Sequence, residues 1–208
     1  MPYGYLGTQP NQTVKNTGVL SVTEAAELQS QGKLGGSLEF IEEKSISAVS
    51  LAIFTDIKET VYDVHYMTVN NFQASDDSQF PAVRFFESGV EESGNVYQYA
   101  VQYGRADGTF GVSQAGGTNF LTAGATTGNQ ANEQSNSYCY FYNLGNSSKY
   151  SFQTLHTTIT SNTTTYTFSF GGGVLPQASI VDQIKLFVLS GTFSATAKLY
   201  GVKQIWVT

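Results

Sequence analysis

Apolar side chains recur at every second position along most of this chain. Val49, Leu51 and Ile53 share one parity, and Tyr62, Val64 and Tyr66 share the next. Tyr97, Tyr99, Val101 and Tyr103 follow, then Tyr138, Tyr140 and Tyr142, then Tyr150 and Phe152, then Tyr166, Phe168 and Phe170. Ile184, Leu186 and Val188, then Ala195, Ala197 and Leu199, and finally Ile205-Trp206-Val207 complete the series. A strand turns successive side chains to opposite faces, so each run predicts a short strand. Many such runs separated by turn residues predict an all-β fold, an antiparallel β-sandwich of jelly-roll-like form. Helical spacing is absent after residue 32, which argues against strand–helix–strand crossovers.

The first 36 residues read differently. Residues 1–20 are polar and aperiodic and predict an N-terminal arm. One short helix follows. Ser21 is a good N-cap, Glu24 completes a capping box, Leu20 and Ala25 suit the flanking hydrophobic staple, and Gly32 suits the end. A helix of about ten residues does not stand alone in water. It is expected to be a docking segment, with Ser21, Glu24 and Leu28 as its marking residues. The expected division is residues 1–36 for arm and helix and residues 37–208 for the β-sandwich. Residues 104–136 are rich in Gly, Ala and Thr. They predict short strands around Phe110 and Phe120 joined by long loops, and a stretch of that length is usually functional or covered.

Composition narrows the partners. Charged residues make up 12% of the 208, about half the usual share of roughly 25%. Residues 1–104 carry 13 acidic and 5 basic groups and residues 105–208 carry 3 and 5, within a net charge of −6. An acidic chain without a Lys/Arg cluster is not expected to bind nucleic acid. A nearly neutral second half is a weak sign of a surface held against a partner. No stretch reaches the ~18 apolar residues of a membrane span, and Met1 to Gly7 lack the basic and apolar regions of a secretory signal.

Candidate chemistry is sparse. The single cysteine, Cys139, excludes an internal disulfide and reads as a small core residue. Asp63 and His65 are two apart and would share a strand face, without an evident third metal ligand. His156 has no acidic neighbour in sequence. Asp76-Asp77 and Glu91-Glu92 lie in turn-like settings; loop carboxylates can hold Ca²⁺, and carboxylate pairs can hydrolyse glycosides, but solvated turns fit them better. Gly171-Gly172-Gly173 has no following helix to cradle phosphate and predicts a turn with close backbone approach. No cofactor, metal or catalytic set is expected. A Tyr stripe on a strand reads as core or subunit interface, so Tyr97, Tyr99 and Tyr103 are the candidate interface aromatics, or a stacking platform for sugars.

Two stretches carry a resemblance. One runs from Thr17-Gly18-Val19-Leu20 through Glu24 and Leu28 to Glu42-Glu43. The other comprises Tyr140-Phe141-Tyr142-Asn143, Ser147 to Tyr150, Gly171 to Leu175, and the closing strand–turn–strand from Ile184 to Lys203. Both resemble virion structural proteins of marine tailed phages such as cyanophages, often described as tail fibre or structural protein. The resemblance implies a non-enzymatic, tail- or fibre-associated subunit, located in the virion and assembled in the host cytoplasm. It implies a homo-oligomer, expected to be a trimer, with other virion proteins as partners and a contribution to host attachment. Two alternatives remain open at this stage: a capsid-decorating protein of the same fold, and a carbohydrate-binding module for host surface glycan.

Overall fold

The computed structural model describes residues 22–23, 26–27, 37–161 and 165–203. The chain divides into two units, Met1–Ser37 and Leu38–Thr208. In the first, Val22, Thr23, Ala26 and Glu27 are helical, while Ser21, Glu24 and Leu28 lie outside the described residues.

The second unit is an antiparallel β-sandwich. Its larger sheet has eight strands, in the order β1 (Leu38–Val49), β13 (Phe193–Val202), β3 (Val64–Ala74), β9 (Ser135–Tyr142), β10 (Tyr150–Thr160), β11 (Tyr166–Ala178), β6 (Tyr97–Arg105) and β7 (Phe110–Thr118). The smaller runs β2 (Leu51–Phe54), β12 (Val181–Phe187), β4 (Ala82–Glu87) and β5 (Val90–Glu91), with β8 (Leu121–Thr122) pairing β4. The turn chemistry follows the sequence. Ser88 and Gly89, at φ of 52° and 79°, link the paired Glu87 and Val90, as a two-residue hairpin requires.

The core lies between the sheets. Phe85 on β4 meets Phe141 on β9 at 5.7 Å and Tyr97 on β6 at 6.1 Å between ring centres. Around them sit Phe54, Phe72, Met67, Leu121, Ile184 and Leu186, all fully buried. Tyr97 completes its hydrogen bonding inside. Its hydroxyl accepts from the Phe85 N–H at 3.0 Å and donates to the Glu92 carbonyl at 3.1 Å. The Tyr97→Phe variant would strand a buried backbone N–H and should lose about 1–3 kcal/mol in urea unfolding.

His65 is also interior. Its Nε2 lies 2.7 Å from the Ile57 carbonyl and so carries the proton, while Nδ1 is buried with no partner among the described residues. Burial is the main cause that pushes His65 below its ordinary value, against the opposing pull of the Ile57 carbonyl and Asp63. The unfolded chain protonates near pH 6.5 while the folded chain resists, so stability is full above about pH 6.5 and falls as pH drops through the folded value. Thermal midpoints measured from about pH 7 to about pH 5 should fall, with a smaller slope in His65→Gln.

Two expectations change here. Gly171-Gly172-Gly173 is not a turn but the middle of β11, although the close backbone approach holds. Residues 104–136 are more ordered than two short strands in long loops. Strand β7 runs nine residues from Phe110 to Thr118, and the stretch after β8 is tied to β4 by the Ala123 N–H to Pro81 carbonyl bond at 2.7 Å. Residues 123–134 otherwise carry no strand, with Gln79–Thr127 as an isolated bridge.

Candidate functional site

The outer face of the eight-stranded sheet inverts the usual arrangement. An antiparallel sheet with one wet face normally turns its polar residues outward. Here β9 buries Ser135, Ser137, Cys139 and Phe141 and turns Tyr138, Tyr140 and Tyr142 out. Strand β10 buries Ser151, Gln153, Leu155 and Thr157 and turns out Tyr150, Phe152 and His156. Strand register aligns these side chains in rows. One row runs Phe40–Tyr200–Tyr66–Tyr140–Thr154–Gly172–Ala100–Gln114. The next runs Glu43–Lys198–Thr68–Tyr138–His156–Phe170–Gln102–Val112.

The rows sort into three zones. At the β1 margin stand ion pairs, Lys198 to Glu43 at 3.1 Å and Lys203 to Glu39 at 3.0 Å. The centre is a tyrosine cluster in which the Tyr66 ring centre lies 4.8 Å from Tyr140, 5.9 Å from Tyr138 and 6.0 Å from Tyr200. Burial, followed by its tyrosine neighbours, raises the Tyr66 hydroxyl above its ordinary value. The Tyr138 hydroxyl and His156 Nδ1 are 3.1 Å apart, and the His156 ring stands edge-on to Phe170 at 6.4 Å. Beyond lies a phenylalanine zone. Phe168 and Phe170 stack at 6.4 Å, and the Phe168 and Phe110 rings close over Gly104, where a Cβ would come within 2.7 and 2.8 Å of them. Phe110 is 74% exposed, Val112 56% and Phe170 47%.

The residues singled out from sequence fall largely elsewhere. Tyr97 is not an interface or glycan aromatic, because it is wholly buried in the core with both hydrogen bonds made inside. Tyr99 and Tyr103 keep partial exposure on the inner face; Tyr99 stacks on Phe120 at 6.0 Å and Tyr103 lies under the Arg105 guanidinium at 5.5 Å. Asp63 and His65 do not share a face, since β3 begins at Val64 and leaves Asp63 exposed before it while His65 is buried. Asp76 braces the turn after β12, accepting from Ser190 Oγ at 2.6 Å and Ser75 Oγ at 3.0 Å, and Asp77 Oδ1 accepts from the Ser78 N–H.

Glu91 and Glu92 turn to different partners. Glu91 accepts from Arg84 at 2.7 Å and Lys185 at 2.8 Å. Burial would raise its carboxyl, but the bonds from Arg84 and Lys185 hold it below the ordinary range. Glu92 accepts from the Gly94 N–H at 2.7 Å and from Gln177 at 3.0 Å. Cys139 is fully buried and its thiol is pushed up to about 12 by burial, which makes it inert. Among the described residues no three His, Cys, Asp or Glu side chains gather as a metal site.

Sequence reasoning missed Phe110, Val112, Phe168 and Phe170 as one exposed patch. A signal was present: in β9–β11 the parity opposite the aromatics is crowded with Ser, Thr, Gly and Gln. The fold and its surface define an all-β sandwich with one aromatic sheet face. No protein-family model, curated protein or solved structure matches the chain.

Proposed function

We propose that this protein is a non-enzymatic virion structural subunit, tail- or fibre-associated, that assembles with copies of itself through the outer face of its eight-stranded sheet. The observation that carries the reading is that aromatic face. Contiguous exposed apolar patches beyond a few hundred Å² mark interaction sites. The Tyr140 and Tyr138 rows and the flanking rows Tyr142–Phe152–Val174–Gln98 and Asn136–Thr158–Phe168–Gly104–Phe110, on strands about 4.8 Å apart, offer roughly 700 Å² of aromatic surface interspersed with polar side chains, close to the ~800 Å² that a standard interface takes from each partner. The ion-paired β1 margin beside an aromatic centre follows the polar-rim, apolar-core plan of interfaces.

The opposite margin supports the same reading. Strand β7 pairs only with β6 among the described residues and carries no charge and no proline, the usual guards against edge pairing. The setting comes from the resemblance of the Thr17–Glu43 and Ile184–Lys203 stretches to marine tailed-phage virion proteins, with a trimer as the expected stoichiometry. A capsid-decorating subunit would use the same face, and imaging the assembled particle separates the two. Sedimentation at rising concentration tests assembly directly. A discrete oligomer is expected, and a monodisperse monomer at the highest concentration reached overturns the proposal.

A further inference from the structure

The larger sheet overhangs the smaller one at its β11–β6–β7 end, and the overhang exposes hydroxyls and a guanidinium among aromatic rings. The inner-face rows there run Ser135–Ile159–Thr167–Arg105 and Ser137–Thr157–Ser169–Tyr103–Gly111. Their β10–β6 members Ile159, Thr167, Arg105, Ser169 and Tyr103 line the floor of a cavity of about 360 Å³, within the roughly 300–1,000 Å³ of small-molecule sites. Its opposite wall is the 122–126 segment with Phe80. That wall is fixed in place: Ala82 pairs Thr122, the Ala123 N–H donates to Pro81, and the Thr127 N–H donates to the Gln79 carbonyl at 2.8 Å.

Three features of the floor point to a ligand. Thr167 is 4% exposed and Ser169 1%, and the hydroxyl of each is buried without a hydrogen-bond partner among the described residues. Buried hydroxyls left unpaired are costly, and unlike the equally unpaired Ser135 and Ser137 these two line the cavity. Arg105 stands at the mouth, its guanidinium over the Tyr103 ring, with no acidic side chain of the described residues at ion-pair distance. The carboxylate of nearby Asp107 is engaged instead by the Thr109 N–H at 2.8 Å. Partly exposed Tyr99 and Tyr103, with Phe80, supply ring faces to the same cavity.

We infer that this overhang pocket binds an acidic sugar: the sugar ring lies against Tyr103 and Phe80, its hydroxyls pair with Thr167 and Ser169, and its carboxylate reaches Arg105. A purely apolar ligand would leave both hydroxyls unpaired, and a bare inorganic anion would leave the aromatic walls uncovered. The site lies on the inner face, meets the outer aromatic face at the β7 edge through Val112 and Tyr103, and does not rest on the assembly proposal.

The test is titration of isotope-labelled full chain with glucuronate, glucose and inorganic sulfate, followed by amide NMR and calorimetry. Glucuronate should shift the amides of Tyr103, Arg105, Thr167 and Ser169, and should bind at least about tenfold more tightly than either other probe, as a charge-assisted hydrogen bond provides. Arg105→Gln, an exposed position whose loss spares the core, should weaken glucuronate about tenfold and leave glucose unchanged. The Phe152→Glu/Phe170→Glu double variant on the outer face should bind glucuronate as the parent does. No shift up to the solubility of glucuronate, shifts confined to the outer-face aromatics, or equal affinity for glucuronate and inorganic sulfate each overturn the assignment.

Discussion

Gly172→Ala should destabilise the β-sandwich by about 3 kcal/mol or more, the upper end of what overpacking inflicts. The reason lies in how β11 is held. It is a central strand, flanked by β10 and β6 along most of its length. A Cβ at Gly172 would stand 2.2 Å from the Gln153 carbonyl oxygen of β10. At Gly171 the obstacle is the Ala100 carbonyl oxygen of β6, at 2.3 Å, and at Gly173 the Gln98 carbonyl oxygen, at 2.6 Å. These obstacles are backbone atoms of neighbouring strands, so no rotamer change relieves them. The strands must separate, and the ladder that separates is the one spanning the middle of the sheet. Such a loss is a large part of the ~5–15 kcal/mol that holds a domain folded. Urea unfolding of the parent and the variant measures it. Gly116→Ala is the matched control: nothing lies within 4 Å of a Cβ there, and its effect should stay within about 0.5 kcal/mol. Equal midpoints for the Gly172 variant and the parent would show that the three glycines are not required by packing.

The same glycines show where local sequence reading stops. A Gly run punctuates a chain, so residues 171–173 read as a turn, yet the constraint they answer comes from Gln153, Ala100 and Gln98, distant in sequence. The period of two was legible in most runs and so was the antiparallel pairing, although Val49, Leu51 and Ile53 straddle the break between β1 and β2, Tyr62 precedes β3, and Ile205-Trp206-Val207 lies outside the described residues. The closing β12 and β13 were legible as strands but not as members of different sheets, which do not pair with each other. The parity facing inward was not legible. In β9 the Cys139 reading as a core residue holds, yet the row of Tyr138, Tyr140 and Tyr142 reads as equally apolar beside Ser135 and Ser137. A buried tyrosine, however, needs a partner for its hydroxyl. Only Tyr97 finds two inside, whereas Tyr138 and Tyr142 meet His156 and Thr154 on the outer face. Asp63 and His65 failed as a pair for a boundary reason, because β3 starts between them. The pocket floor was out of reach as well, since Thr167, Ser169 and Arg105 are brought together by cross-strand register and exposed by the unequal widths of two sheets.

The Phe152→Glu/Phe170→Glu double variant should convert the assembled protein to a monomer while leaving the fold intact. Both rings sit on central strands of the outer face and are exposed in the single chain, at 44% and 47%. Substitution at exposed positions typically changes stability by no more than about 0.5 kcal/mol, so far-UV circular dichroism and the unfolding midpoint should hold. In the assembly the outcome differs. Each truncated aromatic anchor removes about 2 kcal/mol of binding, and each new carboxylate would be buried without a cation. The cations at the β1 margin of this face, Lys198 and Lys203, are already engaged by Glu43 and Glu39. A combined loss of at least about 4 kcal/mol weakens association about a thousandfold. Sedimentation velocity of parent and variant at matched concentration reads this directly. Val61, 65% exposed and outside both sheets, provides the control: Val61→Glu adds a carboxylate to the surface and should leave the oligomer unchanged. Retention of the parent oligomer by the double variant would move the interface off this face. Dissociation of the double variant alone would instead tie assembly to the aromatic rows, and retained glucuronate binding in that monomer would separate the sugar pocket from the contact between subunits.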